Sequence, residues 1–88
     1  KSKYEPKVKT KIVPVVYIQA ASYSERSKAN EALGKLRKYG DVKVVPTKIN
    51  GKDLFRLRIG PLKNSKIADS IINKIEGHGF KDAFVIID

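Results

Sequence analysis

The stretch that decides the fold is VVYIQAA at residues 15–21, together with its counterpart 39 residues further along the chain. Apolar and more polar side chains alternate along it, which predicts a β-strand with one face toward a core. A shift of 39 residues places Ile18 on Leu57 and Gln19 on Arg58, and the similarity continues through the helix that follows. The chain therefore contains two similar halves, each with a strand, a helix and a strand.

The helices are predicted from apolar residues that recur every three to four positions. One helix is predicted over 25–39, capped by Ser24 and stopped by Gly40. The same spacing after Asn64 predicts a second helix, which Asn64 caps and Gly77 stops.

The remaining strands are bounded by turn residues. Asn50-Gly51 is a hairpin dipeptide, so it predicts a turn between strands over 42–49 and 54–59. Pro46 cannot donate to a strand ladder, and this marks the first of these two as an edge strand. A last strand is predicted over 83–87.

This order of elements, βαββαβ, predicts an α+β domain of the ferredoxin-like (RNP-like) class. Right-handed crossovers place both helices on one face of a four-stranded antiparallel sheet, with the first and third strands in its centre. A monomer is expected, although a swapped dimer built from the same units has the same sequence pattern.

Length and charge indicate one domain with a basic lead-in. The chain has 88 residues, with 19 Lys and Arg against 9 Asp and Glu, for a formal net charge of +10. Residues 1–14 hold five lysines, Pro6 and Pro14 and lack strand or helix periodicity, so they are interpreted as a flexible basic linker to a domain over 15–88. The chain begins without Met, and we expect it to be part of a longer protein.

The sequence argues against catalysis. It has no cysteine, no glycine-rich phosphate loop and no metal-ligand spacing, so neither a metal nor a cofactor is expected. The single histidine, His78, lies between two glycines at a predicted helix end. No apolar run approaches the length of a membrane span.

Strand alternation predicts which side chains face away from the helices. Gln19 and Arg58 share that open face, and neighbouring positions add Tyr17 and Arg56. Phe84 and Ile86 join them if Val85 and Ile87 point into the core. Such a polar, basic face suits an extended ligand, but an antiparallel sheet also shows this alternation when one face is merely solvated.

Two segments resemble a known family. Residues 17–23, YIQAASY, resemble the opening strand of SPOR domains (the sporulation-related repeat), usually written as aromatic, aliphatic, Gln, any, Gly, Ser, aromatic. Residues 55–62, FRLRIGPL, are similar to the family's aromatic-Arg-Val-x-Val-Gly-Pro-Phe segment. Ala29 and Leu36 match the helix between, and residues 79–85 resemble the close.

The resemblance covers residues 15–87 and implies a non-catalytic module that binds bacterial peptidoglycan. Its ligand would be glycan strands stripped of their stem peptides, and its location the cell envelope (periplasm or cell wall), concentrated at the division septum. A basic lead-in before such a module resembles the layout of rare lipoprotein A family proteins, septal ring proteins and spore cell-wall amidases.

The resemblance also implies the binding residues. The family's conserved Gln and Ser fall on Gln19 and Ser22 of this chain. Ala21 stands where the family has Gly, and alanine disfavours a left-handed backbone. The implied glycan-binding set, completed by strand alternation, is Tyr17, Gln19, Ser22, Arg56, Arg58 and Phe84.

The alternative function is binding of RNA or other single-stranded nucleic acid. RNA-recognition motifs share this order of elements, and the net charge suits phosphate contacts. Their third strand presents aromatic residues on the open face, however, whereas Phe55 falls in the core phase with Leu57 and Ile59. No nucleic-acid partner is therefore expected.

Overall fold

Residues 15–88 are described by a computed structural model; the predicted linker, 1–14, lies outside the described residues. The four strands and two α-helices of these residues follow one another in the predicted order, and a 3₁₀ turn that was not predicted follows the first helix. Their bounds are β1 Val16–Tyr23, α1 Arg26–Leu36, the 3₁₀ turn Arg37–Tyr39, β2 Val42–Ile49, β3 Lys52–Leu62, α2 Ser65–Glu76 and β4 Phe84–Ile87.

The sheet has the strand order β2-β3-β1-β4, and all of its pairs are antiparallel. The first and third strands are central and β2 is an edge strand, as Pro46 predicts. Asn50 and Gly51 both have positive φ, as the hairpin turn between β2 and β3 requires. The predicted ferredoxin-like fold is confirmed.

One apolar cluster fills the space between the sheet and the helices. The central strands contribute Ile18 and Leu57, both fully buried, while Leu36 of α1 and Ile75 of α2 lie in the same cluster. Because both helices share this cluster, both cover one face of the sheet. The opposite face has no helix over it within the described residues.

The two helices differ at their ends. The Asn64 side chain accepts a hydrogen bond of 2.9 Å from the backbone N–H of Ile67, so the predicted cap of α2 is confirmed. The predicted cap of α1 is wrong: Glu25 occupies the N-cap position, and no side chain caps it. The α1 helix also ends at Leu36, three residues earlier than predicted, and continues as the 3₁₀ turn.

A β-bulge interrupts β1 at Ala20 and Ala21. Gln19 pairs with Arg58 and Ala21 pairs with Leu57, so two residues of β1 advance while β3 advances by one. The bulge reverses the alternation after Ala20, and Ser22 therefore pairs with Arg56. Ala21 needs no left-handed backbone here, since Asn50 is the single non-glycine residue with positive φ among residues 15–88.

A second irregularity lies where β3 pairs with the start of β1. Val16 pairs with Leu62 and Ile18 with Ile59, so β3 has one extra residue in this interval, which contains Gly60. Gly60 has φ 140° and donates a 2.8 Å hydrogen bond to the carbonyl of Asp41. This hydrogen bond ties β3 to the residue that directly precedes β2.

Candidate functional site

A row of four side chains crosses the open face of the sheet, one from each strand. Lys43 of β2 pairs with Arg58 of β3, Arg58 pairs with Gln19 of β1, and Gln19 pairs with Phe84 of β4. Directly opposite residues on antiparallel strands project to the same face. At the usual strand spacing the row spans about 14 Å. It places an ammonium, a guanidinium, an amide and an aromatic ring in line, and we call it the cross-strand row.

Ser22 joins this face only because of the bulge. Simple alternation from Ile18 would point it toward the helices, but its pairing with Arg56 brings both side chains to the open face. Arg56 also pairs with Val45 on the neighbouring strand β2. Ser22, Arg56 and Val45 therefore form a second, shorter row that runs parallel to the first. Ser22 is exposed and Arg56 is half-buried.

Arg58 is held in place by its neighbours. Its guanidinium carbon lies 5.4 Å from the centroid of the Tyr17 ring, in cation–π geometry, and one terminal nitrogen is 3.9 Å from a carboxylate oxygen of Asp88. The side chain is 25% exposed, and its Nε is buried with no hydrogen-bond partner among the described residues. A long flexible side chain is thus presented to the open face with restricted freedom.

The last strand contributes aromatic and aliphatic surface. Phe84 is 51% exposed, which is unusual for a phenylalanine. Ile86 pairs with Tyr17 on the same face. Val85 packs against the core as predicted. Ile87 pairs with buried Val16 and so lies on the predicted, helix side of the sheet, but at the end of the strand it is 62% exposed and is not part of the core.

The aromatic residues on the other face have a structural role. Phe55 is half-buried against the core, with the guanidinium carbon of Arg26 4.9 Å from its ring centroid. Tyr23 pairs with Phe55 on this face, and burial raises the pKa of the Tyr23 hydroxyl above its usual value. Phe55 therefore lies on the core side of the sheet, and this agrees with the prediction from strand alternation.

A groove of about 540 Å³ adjoins the open face at the far end of β1. Gln19, Ser22 and Phe84 line it from the sheet, so it is continuous with the cross-strand row. Its other walls are α1 and the segment between α2 and β4; they contribute Lys28, Glu31, Lys35, His78, Lys81 and Asp82. Sequence reasoning did not assign these residues to a site.

The same residues also bear on two other functions, metal binding and membrane spanning. No group of three or more His, Cys, Asp or Glu side chains within residues 15–88 could hold a metal ion. None of the helices over these residues is long and apolar enough to cross a membrane. His78 is exposed after α2, with its ring centroid 6.3 Å from that of Tyr39.

The structure brings all six predicted site residues to one face. Lys43 was missed, although its signal is in the sequence: it alternates with Val42 and Val44 on an edge strand whose apolar phase is clear. The groove lysines were missed for a different reason. Lys28 and Lys35 lie on the charged side of α1, and only the tertiary arrangement of α1 beside β1 turns that side into the wall of a groove.

The fold and the open face together define an α+β module with a four-stranded sheet that presents one uncovered face. The family model for the SPOR domain matches residues 14–86, well over half of the chain. The chain belongs to the SPOR domain family. No curated protein matches it by sequence.

Two solved structures share the fold. One is the crystal structure of the SPOR domain of RlpA from Pseudomonas aeruginosa, with a TM-score of 0.75 and 18% sequence identity over 81% of this chain and 96% of that one. The other is the solution structure of the peptidoglycan binding domain of the B. subtilis cell wall lytic enzyme CwlC, with a TM-score of 0.64 and 20% identity over 90% and 95% of the two chains.

Proposed function

We propose that this domain binds bacterial peptidoglycan without catalysis, through glycan strands that lack stem peptides, and thereby directs a larger envelope protein to the cell wall at the division septum. The observation that carries the proposal is the cross-strand row, in which Gln19 lies between Arg58 and Phe84. An extended glycan that crosses this row can place its hydroxyl and N-acetyl groups against the guanidinium and the amide, and a sugar ring against the aromatic ring.

Each member of the row has a chemical counterpart on a sugar. The Gln19 amide can both donate and accept, which suits hydroxyls and N-acetyl groups, and Arg58 can donate to several oxygens from a fixed fork. Phe84 offers an exposed ring against which the apolar face of a sugar can pack. Because Arg58 is already positioned by Tyr17 and Asp88, little side-chain freedom is lost on binding.

The comparisons support the ligand class. One of the two similar structures is named as a peptidoglycan binding domain of a cell wall lytic enzyme, and the other as a SPOR domain. The family's characteristic Gln and Ser correspond to Gln19 and Ser22, which lie on the same open face.

Nucleic-acid binding has less support. A sheet that stacks bases needs aromatic rings in the middle of its open face, on the central strands. Here the central strand β1 offers Tyr17, but β3 offers no ring: Phe55 lies on the helix side under Arg26, and the open positions of β3 are held by Arg56 and Arg58.

Sedimentation with cell-wall sacculi tests the proposal. Gln19→Ala and Arg58→Ala are each expected to weaken binding by roughly tenfold, the equivalent of one hydrogen bond of about 1.4 kcal/mol. Asn73→Ala and Arg26→Ala are matched controls that remove an amide and a guanidinium from outside the open face. Circular dichroism should show that all four variants remain folded.

The state of the sacculi tests the preference for stripped glycan. Pretreatment with an amidase that removes stem peptides should increase binding, and binding that is unchanged by the pretreatment counts against this specificity.

Septal targeting is tested in cells. A fluorescent fusion of the domain should concentrate at the septum, and the Gln19→Ala fusion should be diffuse. If single-stranded RNA binds with sequence preference while sacculi do not, the nucleic-acid function replaces this one.

A further inference from the structure

The groove beside β1 exists because β4 is short. Only residues 16–19 of β1 pair with β4, and the remaining half, Ala20–Tyr23, has no strand on that side within the described residues. The α1 helix and the segment over 78–82 stand on either side of this unpaired edge and enclose about 540 Å³. A polymer that crosses the open face at Gln19 and Phe84 therefore reaches the groove without a break.

Three lysines line this groove. Lys28 and Lys35 are seven residues apart on α1, which is about two helical turns, so they project from the same side of the helix. Lys81 lines it from the opposite wall. Glu31 and Asp82 also line it, but the ion pairs formed within residues 15–88 are Lys48–Asp53 and Arg58–Asp88. Over this part of the chain, no direct contact with a carboxylate neutralises a groove lysine.

The basic lining continues around the end of the helices. A second cavity, of about 610 Å³, shares Lys35 and His78 with the groove. Its remaining lining residues are Gly34, Arg37 and Lys38, so none of the described residues that line it is acidic. The surface that follows the groove is therefore suited to an anionic ligand more than to a neutral one.

We propose that the groove extends the glycan site and that Lys28, Lys35 and Lys81 bind the carboxylate of muramic acid residues that have lost their stem peptide. The inference rests on the proposed function and deepens it. An amidase that hydrolyses the bond between the lactyl group and the stem peptide adds water across an amide. It leaves a carboxylate on the sugar, where an intact strand has a neutral amide and a bulky peptide. A lysine ammonium group pairs with the carboxylate and not with the neutral amide, so it distinguishes a stripped muramic acid residue from an intact one.

The experiment compares two forms of one ligand. Glycan fragments stripped of stem peptides are used as such, and in a second batch the lactyl carboxylates are coupled to methylamine, which makes them neutral amides. Isothermal titration calorimetry at low salt should show the whole chain binding the carboxylate form about tenfold more tightly. This corresponds to one hydrogen bond between charged groups. Equal affinity for the two forms overturns the inference.

A double variant locates the effect. Lys28→Gln/Lys35→Gln should lose most of the preference for the carboxylate form, because two of the three ammonium groups that tell the forms apart have been removed and Lys81 alone remains. The matched control, Lys66→Gln/Lys74→Gln, removes the same charge from exposed positions of α2 and should keep the preference. If the control loses the preference to the same extent, net charge explains it and the groove does not. Binding of neither form by the unmodified chain overturns the glycan function itself, a result distinct from equal binding of both.

Discussion

Gly60 shows how one residue sets the geometry of the open face. A Cβ atom at this position would lie 2.7 Å from Cδ1 of Tyr17 and 3.0 Å from the carbonyl oxygen of Val16, and its φ of 140° is one that residues with side chains rarely adopt. Tyr17 in turn lies against the guanidinium of Arg58. The absence of a side chain at position 60 therefore lets the aromatic ring that supports Arg58 sit against β3.

Gly60→Ala is expected to lower the free energy of unfolding by about 1–3 kcal/mol, the usual cost of a strained backbone conformation. It should also weaken glycan binding, because relief of the contact displaces the Tyr17 ring. Urea denaturation followed by circular dichroism measures the first effect, and sedimentation with sacculi the second.

Gly34→Ala provides the control for that substitution. Gly34 lies inside α1 without positive φ, and no atom outside its own helix backbone comes within 4 Å of the place that a Cβ would occupy. Alanine there should raise the free energy of unfolding by about 0.5–1 kcal/mol, since alanine is the better helix former. Equal stability losses at the two positions would show that Gly60 has no special conformational role.

At this scale the sequence predicted some site residues and not others, for a physical reason. Gln19 and Arg58 follow from alternation because Gln19 precedes the bulge in β1 and Arg58 lies in a stretch of β3 that pairs with β2 without interruption. Ser22 follows the bulge, where one extra residue of β1 reverses the alternation of the two faces. The bulge depends on how β1 pairs with β3, so alternation along the sequence does not predict the face of Ser22. Its place in the predicted set came from the family resemblance alone.

The two helices show what element-level signals predict. Asn64 sits just before an apolar periodic run and caps α2 through the N–H of Ile67, so a local rule was sufficient. The start of α1 does not obey such a rule, because Glu25 takes the cap position without a side-chain hydrogen bond. The packing of Ala29 and Leu36 in the core is a tertiary contribution to the position of α1, which local preference does not contain.

Asn64→Ala is expected to lower the free energy of unfolding by about 1 kcal/mol, since it leaves the N–H of Ile67 without its acceptor. The melting temperature should fall by several degrees for a domain of this size. Glycan binding at a temperature well below the transition should be unchanged, because α2 lies on the face opposite the cross-strand row.

The control for the cap is Asn73→Ala, which removes the same amide from an exposed interior position of α2. Alanine is a better helix former than asparagine, so this variant should be at least as stable as the unmodified chain. A loss of stability that is equal at both positions would mean that the Asn64 cap contributes nothing of its own.

For the molecule as a whole, the fold was predictable and the distribution of charge only in part. The 39-residue repeat predicts strand order and helix placement because each half must bury one apolar face against the other. Over residues 15–88 there are 14 basic and 8 acidic residues, so an excess of positive charge remains without the predicted linker. Its concentration around the groove depends on α1 lying beside the unpaired half of β1, which composition does not reveal.

The two kinds of contact inferred for the ligand predict a distinctive dependence on salt. Contacts between lysines and carboxylates weaken as the Debye length falls from about 10 Å at 0.1 M to about 3 Å at 1 M salt. The contacts of Gln19 and Phe84 with neutral parts of a sugar do not. Titration of stripped glycan between these concentrations should therefore show affinity that falls at first and then levels off at a measurable value. A steady fall on a log–log plot to no binding is the behaviour of a nonspecific polyanion site, as for nucleic acid, and would remove the cross-strand row from the mechanism. The neutral methylamide ligand is the reference, and its affinity should vary little over the same range.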